Sequence, residues 1–358
     1  MGDDAPRDRY IEALLNDLDA EAQRAGNREL ISVFLGGGTP SVFSPRQIGR
    51  LLDRVGRRFA LAEDIEVTME ANPGTVECGD PAGYRKAGVS RLSVGAQSFS
   101  RTALRTLGRI HSVDDIRCAV IEAREAGFDN INLDIMYGLP GQDVTSALID
   151  LERATRLEIN HLSWYQLTLE PNTIFHARPP ADMPGDEKSA EIQDSGQRLL
   201  GDLGYEQYEV SAWARGGVRC RHNVNYWSFG DYLAAGAGAH GKITSNEGVW
   251  RYAKPANPKQ YMENIESDRG AATLEPVGNA ERLFEFMLNV LRLVDDFDEQ
   301  LFTSRTGLSA DLLRERLETP IARRLIERSG PGSWRVTALG RRFLNDLQAE
   351  FLPDRSPN

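Results

Sequence analysis

Cysteine is scarce in this sequence. Three cysteines occur in 358 residues, Cys78, Cys118 and Cys220, and they are too few and too scattered for a disulfide framework. They show no CxxC or CxxxC spacing, so we interpret them as unrelated thiols and not as ligands of a metal or a cluster.

Long apolar runs are absent as well. No stretch approaches the ~20 apolar residues that a membrane-spanning helix needs. The first residues, 1–4, are acidic where a signal peptide would be basic and then apolar. A cytoplasmic location is therefore the expectation.

Positive charge is in deficit. The formal net charge is -11, and an acidic chain repels phosphate, so nucleic acids and anionic membranes are disfavoured as partners. Hydrophobic residues make up 41% of the chain. A chain of this size can bury a large core, which predicts one large domain plus a smaller one.

Short apolar strands recur about every 30 residues with helices between them, which is typical of βαβ units and a parallel α/β sheet. The predicted strands cover 31–35, 65–70, 91–95, 131–136 and 161–169. The predicted helices cover 9–22, a stretch from Ser44, 84–87, 112–126 and 145–156. The helix from Ser44 has Pro45 at its first position and Gln47 placed to close a capping box. Right-handed crossovers would curl these units into a barrel or partial barrel, with an open doubly wound sheet as the alternative.

The rhythm changes after about residue 180, where two Pro-containing pairs mark a break. A helix at 186–203, a strand at 206–211 and a Gly- and aromatic-rich segment at 216–241 follow. Helices, a short strand at 334–337 and a closing helix at 339–351 predict a winged-helix-like appendage, with packing or partner contact favoured over DNA binding. The predicted domains are a barrel core (1–180), a post-barrel region (181–278) and a helical domain (279–358).

Polar residues cluster where the predicted parallel strands end, which is where such folds form their sites. Gly36–Gly38 follow the first strand and match neither a Walker loop nor GxGxxG, so they indicate either a tight turn or a binding loop. Glu70, Gln97 and Asp134 end the next strands, and Arg109 would neutralise a carboxylate or grip a ligand. A ligand with hydroxyls and an amine is one interpretation, and a polar cluster sealing the barrel mouth is the other.

A second dense segment runs from Cys220 to Trp227. It groups His222 with amides and aromatic rings, which suits a flat macrocycle with an imidazole-ligated iron. From composition alone, a structured loop with a hydrogen-bonded histidine is the better interpretation. His111, His161, His176 and His240 are isolated in sequence, which favours structural roles.

Five segments, taken in order, resemble the successive strand-end motifs of radical S-adenosylmethionine (SAM) proteins. They are ISVFLGGGTPS (31–41), EANPG (70–74), GAQSF (95–99), NLDIMYGLPGQ (132–142) and YQLTLEPNT (165–173). The subgroup they resemble contains oxygen-independent coproporphyrinogen III dehydrogenase and the HemW-type haem chaperones. The resemblance covers nearly the whole chain and implies a partial (β/α)6 barrel with the C-terminal helical domain of that family.

The resemblance also implies the residues that contact SAM. By position these are Gly37, Gly38, Thr39, Glu70, Gln97, Arg109 and Asp134. The glycines and the threonine would meet the methionine end, and Glu70 would meet the ribose or a polar end of the ligand.

The segment HNVNYW (222–227) matches the HNxxYW pattern of the chaperone branch. It implies haem binding through His222, Asn223, Tyr226 and Trp227, with His222 as a ligand of the haem iron. The implied partners are haem and haem-requiring proteins such as respiratory enzymes, with transient membrane-protein clients and a homodimer as further expectations.

One departure concerns the family's CxxxCxxC loop, whose thiolates hold a [4Fe–4S] cluster with SAM on the fourth iron. This sequence contains neither that loop nor the strand that precedes it in the family. A misplaced start or a truncation is the favoured explanation, and a protein that kept haem binding but lost radical chemistry is the other.

Three functions therefore stay open at this point. The first is a haem chaperone on a SAM-binding scaffold. The second is a coproporphyrinogen III dehydrogenase of porphyrin biosynthesis. The third is an unrelated barrel enzyme that uses Glu70 and Asp134 as an acid–base pair.

Overall fold

The computed structural model describes residues 5–74, 80–171, 174–267 and 272–353. The chain forms two compact units. The barrel unit comprises Ile31–Leu52 and Glu63–Cys220, and the appendage unit comprises Met1–Leu30, Asp53–Ala62 and Arg221–Asn358. The three domain ranges expected from the sequence remain a prediction.

Strands and helices alternate through the first half of the chain. The strands are β1 (Glu29–Leu35), β2 (Ala60–Ala71), β3 (Arg91–Gln97), β4 (Asn130–Tyr137), β5 (His161–Gln166), β6 (Glu206–Glu209), β7 (Ala212–Ala214), β8 (His240–Ser245), β9 (Gly248–Ala253), β10 (Glu275–Pro276), β11 (Phe297–Asp298), β12 (Ile326–Gly330) and β13 (Ser333–Val336). The helices are α1 (Ala5–Ala25), α2 (Pro45–Arg58), α3 (Pro81–Ala87), α4 (Arg101–Thr106), α5 (Val113–Glu125), α6 (Val144–Thr155), α7 (Ile174–Ala177), α8 (Asp186–Asp202), α9 (Arg221–Trp227), α10 (Pro258–Glu266), α11 (Asn279–Val290), α12 (Glu299–Thr306), α13 (Ala310–Ala322), α14 (Ala338–Arg342) and α15 (Leu344–Ala349).

The main sheet has the strand order β1-β2-β3-β4-β5-β7-β6. Strands β2 to β5 pair in parallel, so Glu70 lies opposite Ser93 and Asp134 lies opposite Ser163. The first five strands follow chain order without a reversal. A doubly wound sheet requires a reversal at its switch point, so the curled partial barrel is confirmed and the open sheet is excluded.

The end of this sheet differs from the sequence expectation. The strand predicted at 206–211 is two short strands, β6 and β7, and β7 pairs antiparallel with both β5 and β6. The chain returns through a tight connection after β6, which is long enough for an antiparallel hairpin but too short for a parallel crossover.

Local capping sets where two helices of the barrel unit begin. The backbone N–H of Ser44 donates to Gln47 Oε1 at 2.9 Å, and Gln47 N–H donates back to Ser44 Oγ at 3.4 Å. This reciprocal pair is the capping box predicted for α2. Ser112 and Asp115 form the same arrangement at the start of α5.

The appendage unit contains a buried ionic cluster that joins α1 to the residue that follows β9. The Lys254 ammonium lies 2.5 Å from Asp17 Oδ1 and 3.0 Å from Glu21 Oε1, and all three side chains are almost completely buried. Tyr261 OH also donates to Asp17 Oδ2 at 2.8 Å. Buried charges are tolerated only when they are paired and hydrogen-bonded in this way.

The C-terminal part of the appendage unit has a three-stranded antiparallel sheet, β11-β13-β12, beside helices α11 to α15. Its apolar core includes Phe286, Phe302, Leu313 and Trp334. The predicted winged-helix-like arrangement of helices with a small sheet is present. The closing helix expected at 339–351 is instead two short helices, α14 and α15.

Two further observations concern the helices. The segment from Cys220 to Trp227, interpreted from composition as a structured loop, forms helix α9 from Arg221 onwards. Among the described residues, none of the helices combines the length and the apolar character that crossing a membrane requires.

Candidate functional site

The loop after β1 brings its backbone to a carboxylate. Gly37 and Gly38 have φ of 77° and 65°, a region that side chains with a Cβ rarely adopt. The Gly37 N–H donates to Glu70 Oε2 at 3.1 Å. Thr39 is half-buried and precedes a one-turn 3-10 helix at Pro40–Val42. The glycines therefore form a tight turn that also presents backbone groups beside Glu70.

Gln97, at the end of β3, occupies a strained turn. Its φ is 65°, and the Ser98 N–H donates to the Ala96 carbonyl at 2.8 Å, which makes Gln97 the central residue of a rare γ-turn. Asp150 on α6 holds the turn, because it accepts from Ser98 Oγ at 2.5 Å and from the Phe99 N–H at 2.8 Å. Such strain persists only where the surroundings enforce it.

Tyr165 on β5 links the polar residues of this region. Its hydroxyl donates to Gln97 Oε1 at 2.9 Å. Burial raises the pKa of Tyr165, the charges of Asp134 and Glu70 raise it further, and the charge of Arg109 opposes them. The structure thus brings Glu70, Gln97 and Asp134 together around Tyr165. Arg109 follows α4, is exposed, and acts on this group through its charge.

Asp134 lies inside β4, before its carboxyl end, which corrects the expectation that the strand ends there. Asn132 Nδ2 donates to Asp134 Oδ1 and to Ser93 Oγ, both at 2.8 Å, and Ser93 Oγ donates to Asp134 Oδ2 at 3.3 Å. His161 Nδ1 lies 2.6 Å from Asn132 Oδ1, and its Nε2 lies 2.8 Å from Tyr208 OH. Burial, with a contribution from Arg91, holds the pKa of His161 well below its usual value. The neutral ring therefore donates to Asn132 and accepts from Tyr208.

The carboxylates of Glu70 and Asp134 interact electrostatically in this group. Burial raises the pKa of Glu70, and the charge of Asp134 raises it further. Burial also raises the pKa of Asp134, against the hydrogen bonds from Asn132, Ser163 and Ser93. Neither carboxylate forms an ion pair with a described residue. A ligand with positive charge and hydroxyl or amine donors would relieve both costs.

The described residues do not fit an iron–sulfur cluster. Among them, no group of three His, Cys, Asp or Glu side chains is arranged to hold a metal ion. Cys118 is exposed on α5, whereas Cys220 is buried with its Sγ 3.4 Å from Glu66 Oε1. Cys78 lies outside the described residues. That the three cysteines are unrelated thiols stays a prediction.

The HNVNYW segment forms helix α9 in the appendage unit. At about 100° per residue, the spacing i, i+1, i+4, i+5 places His222, Asn223, Tyr226 and Trp227 within about 140° of one helix face. All four are half-buried. The motif spacing is thus explained as one face of a single helix, with Val224 and Asn225 on the opposite side.

Aromatic packing holds the Tyr226 end of that face. The Tyr226 ring meets Trp227 at a 5.0 Å centroid distance and Tyr232 at 5.3 Å. Tyr232 OH accepts from Arg251 at 2.6 Å, and Arg251 is itself held by Glu285 at 2.7 Å. The ion pair of Arg251 with Glu285 therefore holds Tyr232 in place, and Tyr232 packs against Tyr226.

The end of α9 is locked by its following turn. Asn225 Nδ2 donates to the Asp231 carbonyl at 2.9 Å. Lys242, almost fully buried, donates to the carbonyls of Phe229 and Gly230 at 3.0 and 3.4 Å and to Asp231 Oδ1 at 3.0 Å. Its ammonium also lies 4.1 Å from the Phe229 ring centroid. The Lys242 ammonium therefore holds together the turn that sets the direction of α9.

The other histidines lie apart from this face in the sequence. His111 is buried with Nε2 3.2 Å from the Ala96 carbonyl, and His161 belongs to the Asn132 network. His176 Nδ1 lies 3.2 Å from the Leu169 carbonyl, and His240 is exposed on β8. These contacts agree with the structural roles expected for His111, His161 and His176.

Sequence reasoning missed several residues of both groups. Tyr165 lies within the quoted segment 165–173 but received no role, and Ser93 and Asn132 were not singled out. Period-two alternation was a usable signal, because it places Ser93 on one strand face with Arg91, and Asn132 on one face with Asp134. Tyr232 gave no signal, because its pairing with Tyr226 depends on the turn after α9.

Two family models and several known proteins match this sequence. Residues 3–152 match the Radical SAM superfamily, and residues 278–343 match the HemN C-terminal domain. The protein "Heme chaperone HemW" of Escherichia coli is 44% identical, over 98% of this chain and 92% of that protein. The chain belongs to the HemW family. Other HemW proteins are 43% identical in Haemophilus influenzae, over 98% and 91% of the two chains, and 31% in Bacillus subtilis, over 97% and 92%.

The likeness to a solved structure supports the fold of this HemW family member. Coproporphyrinogen III oxidase (HemN) from Escherichia coli, described as a radical SAM enzyme, superposes with a TM-score of 0.79 and 23% identity. The match covers 98% of this chain and 84% of that chain. At this identity the likeness bears on the fold alone, and it agrees with the partial radical SAM barrel.

Proposed function

We propose that this protein is a haem chaperone, which binds haem and transfers it to haem-requiring proteins on a radical SAM scaffold. The observation that carries the proposal is the face of α9 formed by His222, Asn223, Tyr226 and Trp227. The names of the HemW relatives point to the same function.

The chemistry of that face suits haem. An imidazole can ligate haem iron, and aromatic rings can pack against a flat macrocycle. His222 and Tyr226 are four residues apart and neighbours on the helix surface. We infer that His222 approaches the iron while Tyr226 and Trp227 contact the porphyrin ring and Asn223 supplies an amide.

We further propose that the barrel unit binds SAM. SAM carries a sulfonium, an ammonium and ribose hydroxyls, which complement the carboxylates of Glu70 and Asp134, neither of which forms an ion pair with a described residue. Gln97 and the backbone at Gly37, Gly38 and Thr39 would orient it, and Arg109 would meet its carboxylate. In the radical SAM family, a cluster-bound SAM supplies a reactive radical. The described residues do not fit the cluster.

The proposed recipients are haem-requiring proteins such as respiratory enzymes, including transient membrane-protein clients, met in the cytoplasm. A homodimer is a further proposal. The net charge of -11 disfavours nucleic acid as a partner. The reported relatives carry the chaperone name, so the dehydrogenase of porphyrin biosynthesis is not proposed.

A haem titration followed by the Soret band tests the function. Wild type is expected to saturate near one equivalent, and His222→Ala is expected to lose binding or shift the band. His240→Ala, at an exposed histidine of the same unit, is the matched control and should behave as wild type. If a folded wild-type protein shows no saturable binding, the proposal is wrong for this chain.

A further inference from the structure

Arg292 lies against the proposed haem face. It follows the end of α11, and its guanidinium carbon is 4.2 Å from the centroid of the Trp227 ring. Asn289, one turn earlier, donates from Nδ2 to the Tyr226 carbonyl at 3.3 Å. Asn289 on α11 and Arg292 just after it therefore contact the two aromatic residues of the HNVNYW segment.

A cation over an aromatic ring interacts with the ring's π face and needs no acceptor atom there. A guanidinium carries five N–H donors in a planar fork that matches a carboxylate. A ligand that packs against Trp227 would therefore bring its own acidic groups within reach of Arg292.

A second arginine beside these rings has a different role. Arg251 donates to Glu285 from Nε and NH2 at 3.0 and 2.7 Å, and its NH1 donates to Tyr232. These bonds hold Tyr232 in place. Arg292 stacks directly on a ring of the proposed binding face.

We propose that Arg292 binds a propionate carboxylate of haem, and this assignment rests on the proposed function. Haem carries two propionates at one edge of its ring, and an acidic protein repels them unless a local cation attracts them. Contact between the porphyrin and the face of Tyr226 and Trp227, with a propionate at Arg292, would orient haem with one edge towards the end of α11.

A comparison of haem with its dimethyl ester isolates the contribution of the propionates to affinity. The ester keeps the iron and the ring but has no carboxylates. Wild type is expected to bind haem about tenfold more tightly than the ester, the effect of one charge-assisted hydrogen-bond pair. Arg292→Met should bind both ligands with the affinity of the ester. Arg292→Lys should retain part of the preference, because it keeps the charge but not the fork.

The iron ligand is distinct from this contact, so the Soret maximum of the Arg292→Met complex should match that of wild type. Arg328→Met, at an exposed arginine on β12, is the control and should keep the full preference. Far-UV circular dichroism and thermal unfolding establish that each variant is folded.

Equal affinity of wild type for haem and its ester overturns the assignment of Arg292 and leaves the chaperone proposal standing. A preference that survives in Arg292→Met also overturns it. If wild type takes up neither ligand, both proposals fail. The comparison on wild type needs no variant, so a poorly folded Arg292→Met does not prevent a decision.

Discussion

The hydroxyl of Tyr165 donates to Oε1 of Gln97 at 2.9 Å, although the two residues lie 68 positions apart. This bond fixes the amide of a residue whose backbone is already held in a γ-turn. It places one acceptor of the proposed SAM pocket in a defined direction.

Tyr165→Phe tests that relationship. We expect SAM to bind about 3- to 10-fold more weakly, because removing one neutral hydrogen bond costs roughly 0.5–1.5 kcal/mol. Isothermal titration calorimetry measures the affinity. Tyr137→Phe is the control, since Tyr137 ends β4 and no hydrogen bond of its hydroxyl is seen in the described part of the chain. Equal affinities of the two variants would remove Tyr165 from the pocket.

Glu70→Gln is expected to stabilise the ligand-free protein and to weaken SAM binding. Burial and the charge of Asp134 raise the pKa of Glu70 in the folded state. A carboxyl with a raised folded pKa contributes stability below its unfolded pKa, near 4.3, and loses it as pH rises through the folded pKa. The glutamine keeps an acceptor for the Gly37 N–H.

The gain in melting temperature of Glu70→Gln over wild type should therefore grow as pH rises and disappear below about pH 4. Differential scanning calorimetry of both proteins from about pH 4 to neutral pH measures this gain. Glu122→Gln, at an exposed position on α5, should show no such trend. A glutamine variant that is less stable than wild type at neutral pH would contradict the argument.

Lys254→Met should destabilise the appendage unit by about 3–5 kcal/mol, because it leaves Asp17 and Glu21 buried without their counter-charge. Urea denaturation followed by circular dichroism measures the loss. The exposed pair of Arg9 and Glu266 provides the contrast. Arg9→Met should change stability little, since surface ion pairs contribute little. Similar losses in both variants would mean that burial of the Lys254 cluster is not decisive.

Gly230→Ala is expected to weaken haem binding without touching haem. A Cβ at Gly230 would lie 2.0 Å from Asn225 Oδ1 and 2.7 Å from the Asn225 carbonyl oxygen, so the end of α9 must shift at a cost of about 1–3 kcal/mol. The Soret titration should show an affinity about tenfold lower.

The control is Gly201→Ala inside α8, where a Cβ meets nothing within 4 Å. That variant should gain about 0.5–1 kcal/mol of stability and keep haem affinity. If Gly230→Ala binds haem as wild type does, the turn after α9 does not orient the proposed face.

Local patterns in the sequence were sufficient for the fold class. The alternation of strands and helices predicted a barrel or partial barrel, and Ser44, Pro45 and Gln47 predicted the start of α2 correctly. Such features depend on residues within a few positions of each other, so periodicity and capping chemistry reveal them. The HNxxYW spacing also fits one face of a helix, although composition favoured a loop there.

Tertiary structure decided what joins distant parts of the chain. The antiparallel β7, the bond from Tyr165 to Gln97 and the pairing of Lys254 with Asp17, 237 residues apart, left no local pattern. The position of Arg292 over Trp227 is of the same kind. A contact of this sort depends on how the chain closes on itself, and the sequence near either partner carries no period that predicts it.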